Sequence, residues 1–372
     1  MFPIVSNGEG YRAQIGEGSD SIPLIVVTGT PYEMGKAFGE LMREEIQTFM
    51  GGFLEKARSS GNERYTNEVL DAAWESVSPH TDIRFKDELK GISEGAQILY
   101  EDLVRGHMIP VVSDYSCSGI AVWGEASKSG NLFQIRNLDY NTRGGLQEFP
   151  AIVIYIPDEG IAHVNPTFAG VAGSNTGMNA EGIALTEIGD TPERDYPFNL
   201  DGEHFTTMFR DILYNTSSLD EAVDRIKSAK RIKKYHYVVG DGQEKKAVKM
   251  KAHAPNLEIW TDNDPNDALA PKTLENVVYH CEGRNPLGWA HLNEHLGLGG
   301  YGPEEMVSLS REVATKGGNL LNVVYDATDL EVWVAYAEKD ENAYLRPYVH
   351  LKLSDYIPYN PKGEKVVRMV KK

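Results

Sequence analysis

Apolar positions change period several times along this chain. Residues 22–27 form an apolar run that predicts a strand, and Thr30-Pro31 then opens a helical pattern with proline in its first turn. Met34, Phe38, Leu41, Met42, Phe49, Met50, Phe53 and Leu54 recur at steps of three and four, one apolar face of a long helix that reads as core packing. Residues 69–77 predict a second helix and 85–98 with 102–111 one or two more, so 31–111 is expected to be mostly helical. From Cys117 the alternation is that of strands: a hairpin across 117–140, then 151–156, 168–172 and 182–186. Two helices follow, 204–214 and a better capped one from Ser218 with Asp220 and Glu221 in its first turn. Strands resume at 235–239, 247–250 and 257–259, with a late helix at 303–315. A last hairpin joins 319–325 to 331–336 around Ala327-Thr328-Asp329. Helices, strands, helices, strands predict an α+β fold with two sheets packed together and covered by helices. No internal repeat or low-complexity tract interrupts it.

The 372 residues are 41% hydrophobic, enough for one large core or two domains. A formal charge of −18 argues against nucleic acid as a partner, because clustered Lys and Arg supply most of that affinity. No apolar run of about 18 residues predicts a membrane span. Met1-Phe2-Pro3-Ile4-Val5 lacks a basic region leading an apolar one, so secretion by a standard signal is not expected. The two cysteines, Cys117 and Cys281, make no disulfide framework, and a reducing, cytoplasmic location fits them.

Cys117 opens the first hairpin. With the polar turn centred near Lys128, antiparallel pairing places it opposite a residue between Asp139 and Asn141, roughly 5 Å away between Cα atoms, and within reach of Arg136. A thiol flanked by a cation and a carboxylate suits a nucleophile, since a guanidinium favours negative charge on sulfur or on an oxyanion. The same spacing also fits a small buried thiol beside a solvated ion pair.

Four stretches carry a resemblance. They are Gly29-Thr30-Pro31-Tyr32-Glu33-Met34-Gly35 with Phe38-Gly39; Glu88-Leu89-Lys90-Gly91-Ile92-Ser93-Glu94-Gly95-Ala96; Cys117 with Arg136-Asn137-Leu138-Asp139; and Gly177-Met178-Asn179-Ala180-Glu181-Gly182-Ile183. In this order they resemble the acyl-coenzyme A:6-aminopenicillanic acid acyltransferase-like branch of the N-terminal nucleophile hydrolases, and more distantly bile salt hydrolases and acid ceramidase. The resemblance implies a four-layer αββα sandwich with an N-terminal helical segment. It implies self-cleavage between Ser116 and Cys117, with 1–116 and 117–372 remaining together as one domain. Cys117 is then the nucleophile and its freed α-amino group the base, while Arg136 and Asp139 bias or hold them. The expected substrate is a small-molecule acyl amide or acyl thioester, with water or an amine as acceptor, no metal or organic cofactor, and a homo-oligomer of the cleaved heterodimer as the expected assembly. The pattern departs from the family at Glu187, which stands where an oxyanion-binding Asn is expected. Asn179 and Asn285 are the remaining oxyanion or substrate candidates, and Asn285 reads equally well as an ordinary turn residue.

Other signals compete. His291-Leu292-Asn293-Glu294-His295 matches the H-x-x-E-H zinc motif, yet the glycines at 297, 299 and 300 break the segment, and a polar loop near the surface is the plainer reading. An uncleaved binding module of the same fold, with Glu187 marking a lost oxyanion site, is the second alternative. Gly240-Asp241-Gly242 reads as a turn, the basic run 227–234 as a solvated helix end, and Cys281 beside His280 as a buried thiol.

Overall fold

The computed structural model of the chain describes residues 4–5, 10–189, 199–253 and 256–357, which leaves most of the leader stretch considered above outside. Strands β1 (Ile4–Val5), β2 (Gly10–Ile15) and β3 (Ile22–Gly29) lead into helices α1 (Pro31–Leu41), α2 (Arg43–Ser59), α3 (Asn67–Val77), α4 (Ile83–Ala96) and α5 (Tyr100–Val112). Six strands follow: β4 (Ser116–Val122), β5 (Phe133–Asp139), β6 (Pro150–Pro157), β7 (His163–Phe168), β8 (Thr176–Asn179) and β9 (Ile183–Ile188). After α6 (Phe205–Asn215) and α7 (Leu219–Ser228) come β10 (Lys234–Asp241), β11 (Lys246–His253), β12 (Leu257–Trp260) and β13 (Val277–His280). Helices α8 (Asn285–Leu296) and α9 (Pro303–Val313) precede β14 (Leu321–Asp326), β15 (Glu331–Tyr336) and β16 (Val349–Lys352).

Two sheets result. Ten strands run in the order β1-β2-β3-β6-β7-β8-β9-β10-β11-β12 and six in the order β13-β4-β5-β14-β15-β16. The period-two alternation sorts the side chains. Leu185, Tyr235 and Tyr237 turn outward to Phe205, Phe209 and Ile212 of α6, while Ile120, Ile135 and Tyr279 turn outward to Leu292, Met306 and Leu309 of α8 and α9. The alternate residues Ala121, Ala184, Val238 and Val278 belong to the largest core, between the sheets.

The Met/Phe stripe is one apolar face, but two helices carry it. Met42, at φ −125° and ψ 25°, breaks the pattern between α1 and α2. Helix α1 starts as its sequence dictates, with Thr30 Oγ1 accepting from Glu33 N–H at 3.3 Å and Glu33 Oε2 accepting from Thr30 N–H at 2.8 Å. The glycines of the first two resemblance stretches have a packing cause. A Cβ on Gly35 would lie 2.2 Å from Glu88 O, one on Gly91 2.1 Å from Tyr32 O, and one on Gly95 2.2 Å from Lys36 O, so α1 and α4 cross backbone to backbone. Other contacts tie the first 116 residues to the rest. Arg210 Nη2 donates to Glu88 Oε2 at 2.8 Å with both side chains buried, Arg84 pairs with Asp211, and Lys233 Nζ donates to Ser113 O.

Two sequence expectations are corrected. The strand expected at 168–172 ends at Phe168, because Gly170 at φ +77° turns the chain, and the strand itself lies at 163–168, where buried His163 and Asn165 hide the apolar alternation. His291 and His295 sit in α8 rather than in a loop. Among the described residues no helix is long and apolar enough to cross a membrane.

Candidate active site

The β4/β5 register decides what faces Cys117. Cys117 pairs with Leu138, Ser116 with Asp139 and Gly119 with Arg136, one position short of the pairing expected from a turn at Lys128. Cross-strand partners share a face and neighbours alternate, so Arg136 stands on the face of Cys117 while Asp139 stands on the other. The single-residue shift comes from the connection, where Gly124–Ala126 form a 3-10 turn and Ser127 bridges to Tyr301.

On the Cys117 face everything is buried. Arg136 Nη2 lies 3.3 Å from Glu187 Oε2, and the same oxygen lies 4.0 Å from Cys117 Sγ, with all three residues at 0% exposure. Arg136 Nε and Nη1 have no hydrogen-bond partner. Burial pushes the thiol well above its ordinary range, opposed by Arg136 and the Gly189 N–H and reinforced by Glu187 and Asp139. Gly189 owes its place to contact, because a Cβ there would fall 1.9 Å from Tyr115 O. The chain therefore brings Cys117, Arg136 and Glu187 together around the residue pair Ser116-Cys117.

On the opposite face, Asp139 Oδ1 accepts from Thr315 N–H and from Asn319 Nδ2, each at 3.0 Å, and Asp139 Oδ2 accepts from Arg284 Nη2 at 2.6 Å. Burial raises the Asp139 carboxyl, and Arg284 is the first of the groups that oppose the rise. Arg284 also donates to Ser118 Oγ at 3.0 Å and Val313 O at 2.6 Å, fastening β4 and β5 to the helices from outside the sheet. Sequence reasoning singled out the next residue, Asn285, and missed Arg284. A cation at the N-terminal end of a helix opposes the helix dipole, and that mismatch at α8 was the available signal.

The two asparagines lie elsewhere. Asn285 Oδ1 accepts from Cys281 N–H at 2.7 Å and its amide donates to Leu269 O at 2.5 Å, so it closes the turn before α8. Asn179 Oδ1 accepts from Glu181 and Ile183 N–H, and its Nδ2 reaches Thr216 O at 2.8 Å, tying the β8–β9 turn to α6. His291 and His295 stack at 4.3 Å, and the ring nitrogens of His291 meet Tyr301 and Ser308 hydroxyls. No group of three or more His, Cys, Asp or Glu among the described residues is arranged to hold a metal ion. Cys281, just past the end of β13, is buried against Gly288 on the outer face of the sheet, away from the face of Cys117.

An apolar recess of about 830 Å³, open to solvent, reaches Tyr115 and Leu138, which neighbour Cys117 along the chain and across the strands. Phe49, Met50 and Phe53 of α2, Ile109 of α5, and Tyr115, Leu138 and Phe168 line it. Leu138, one of its lining residues, is the cross-strand partner of Cys117, which is itself wholly buried.

Residues 126–267 match the family described as acyl-coenzyme A:6-aminopenicillanic acid acyl-transferase, a stretch that starts just after Cys117 and contains Arg136, Asp139 and Glu187. The chain is similar to protein dcd1B of Dictyostelium discoideum, 26% identical over 298 residues that cover 74% of this chain and 59% of that protein. It thus spans less than two thirds of that relative. N-acylethanolamine-hydrolyzing acid amidase of Mus musculus is 23% identical over 229 residues, covering 56% of this chain and 62% of that protein. Among solved structures, the Caenorhabditis elegans ortholog of that amidase superposes with a TM-score of 0.46 at 15% identity, covering 63% of this chain and 100% of that one. The likeness to the acyl-coenzyme A:6-aminopenicillanic acid acyl-transferase family thus rests on residues 126–267, which hold the return strand and Glu187 but begin after Cys117.

Proposed function

We propose that the chain is a cysteine N-terminal nucleophile amidohydrolase or acyltransferase, built as an αββα sandwich and active after cutting itself between Ser116 and Cys117. The observation that carries this reading is the buried Cys117, one residue from the start of β4, with Arg136 on its face, Glu187 at 4.0 Å and its cross-strand partner Leu138 lining an apolar recess. In the uncut chain Sγ attacks the carbonyl of Ser116; the C–N bond breaks, nitrogen takes the thiol proton, and water then resolves the thioester to leave a Ser116 carboxylate. The new α-amino group titrates near ~8, close to working pH, and becomes the base for its own thiol.

In the cut enzyme the thiol adds to the acyl carbonyl of an amide or thioester, its proton passes through the α-amino group to the leaving amine or thiol, and water or an amine takes the acyl group from sulfur. Arg136 favours the anionic sulfur and the oxyanion. Glu187, a carboxylate, is no oxyanion donor; it suits the freed ammonium and the guanidinium instead. Asp139 acts from behind the sheet, where it fixes Arg284 and the start of β4. The recess selects an apolar acyl chain, which agrees with a relative whose name describes hydrolysis of N-acylethanolamines.

Intact-mass analysis of wild type and Cys117→Ala, paired with amine release from a long-chain N-acylethanolamine, tests the reading. Two masses meeting at Ser116/Cys117 in wild type alone, with release lost in the variant, support it. A full-length wild-type chain that releases no amine sinks it.

A further inference from the structure

Phe168 at the end of β7, with Val171 and Gly173 of the turn that follows, lines the apolar recess. That turn lies outside the strands, yet both backbone polar groups of its buried residue Ala172 are held by side chains of two helices. Ala172 N–H donates to His107 Nε2 of α5 at 3.0 Å, and Ala172 O accepts from Arg210 Nη1 of α6 at 2.9 Å. Arg210 is itself fixed, with Nη2 on Glu88 Oε2 and its guanidinium 3.8 Å from the centre of the Tyr155 ring.

The two partners of the His107 ring settle its form. Leu103 O, 2.8 Å from Nδ1, requires a proton there, and the Ala172 N–H requires a lone pair on Nε2, so the ring is neutral with Nδ1 protonated. A histidine bonded to its own helix is commonly a packing residue. His107 differs because it lines the recess, and because its acceptor nitrogen holds the segment that forms another part of the same lining. On the other flank Gly170, at φ +77°, turns the chain against α2, where a Cβ would lie 3.0 Å from Ile46 Cγ2 and 3.4 Å from Met50 Cε. The turn is thus seated between α2, α5 and α6. Without an acceptor on His107, the Ala172 N–H would have to turn toward water and carry Val171 and Phe168 with it.

We propose that His107 is a positioning residue for acyl-chain selection: by accepting the Ala172 N–H it sets the place of the 168–173 turn, and with it the shape of the recess that takes a long apolar acyl chain. The inference rests on the reading of that recess given above. His107 belongs to the first 116 residues and Ala172 to the rest, so chain selection depends on a contact that spans the cut at Ser116/Cys117.

His107→Asn and His107→Gln separate the two ring nitrogens. The shorter amide stands near Nδ1, keeping the Leu103 bond and losing Ala172; the longer one reaches toward Nε2 and can accept the Ala172 N–H. Amine release from N-dodecanoylethanolamine and N-acetylethanolamine, and calorimetric titration of the full-length protein with dodecanoate, read the effect. His107→Asn should raise the long-chain KM and the dodecanoate dissociation constant about tenfold, with kcat and the short-chain KM within about twofold of wild type. His107→Gln should recover most of that loss. His107→Leu, which also lacks the acceptor, takes the place of His107→Asn should that variant unfold. An equal loss for short and long chains, wild-type KM and dodecanoate affinity in a folded variant without the acceptor, or a His107→Gln no better than His107→Asn would each overturn the proposal. A wild type that binds dodecanoate but releases no amine defeats the reading of Cys117 alone, and the titration then decides on His107. A wild type that does not bind dodecanoate overturns the proposal.

Discussion

Arg136 and Glu187 meet at 3.3 Å with both side chains wholly buried, and one carboxylate oxygen serves both the guanidinium and, at 4.0 Å, the thiol of Cys117. A buried pair gains little net stability, but removing one partner strands the other charge. Glu187→Leu and Arg136→Met should each cost about 3–5 kcal/mol in urea unfolding, and the double variant should recover most of that loss. Amidase activity should be lost in Arg136→Met and stay lost in the double variant. Recovery of activity along with stability would mean that the pair serves the fold alone.

The α1–α4 crossing gives a sharper stability test. Gly91→Ala places a methyl 2.1 Å from Tyr32 O, a backbone atom that cannot move without shifting α1, so a loss of more than ~2 kcal/mol is expected. Gly51→Ala and Gly52→Ala on α2 meet nothing within 4 Å. They should be neutral or stabilising by up to about 1 kcal/mol, as a helix-interior glycine exchanged for alanine should be. Chemical denaturation of the three variants checks the contrast.

The long periodic elements were legible in the sequence, because helices α1 to α5 and the last hairpin each present one apolar face. Strand register was less so: parity hangs on where a turn is centred, and the one-position difference moved Asp139 away from Cys117 to the far face of the sheet. Strand β7 escaped notice because His163, Asn165 and Pro166 occupy it, polar or ring-closed residues that the fold buries. Strand β13, only four residues long, escaped as well. At the site, Cys117 and Arg136 were visible through their own spacing. Glu187 was placed through resemblance, while Arg284 comes from a turn 167 residues after Cys117 and nothing local announces its partner.

Between the sheets, the rings of the buried His236 and His280 lie 4.4 Å apart, tilted by 40°. Burial is the main cause that holds His236 down to about 4 and His280 well below its ordinary value, with nearby Lys249 and Lys251 adding to both. The unfolded chain takes up these protons near ~6.5, so between that pH and about 4 it binds more protons than the fold does. Stability is then complete above about 6.5 and declines as pH falls, by up to roughly 3 kcal/mol for His236 alone. Denaturation midpoints across this range should slope downward toward acid. His236→Gln should flatten the slope, and an unchanged slope in that variant would place the acid sensitivity in other groups.

Gly106 on α5 joins fold to specificity. It lines the apolar recess, and a Cβ there would sit 2.8 Å from Met50 Sδ, the flexible end of a side chain that lines the same space. Gly106→Ala gains helix propensity of up to about 1 kcal/mol while pressing Met50 into the recess. The global fold should therefore stay as stable as wild type. KM for the longest apolar acyl chain should rise several-fold with kcat little changed, and short acyl chains should be handled as before, since only the depth of the recess changes. Steady-state kinetics on an acyl-length series read this directly. An equal loss for short and long chains would mean that the acyl group lies elsewhere.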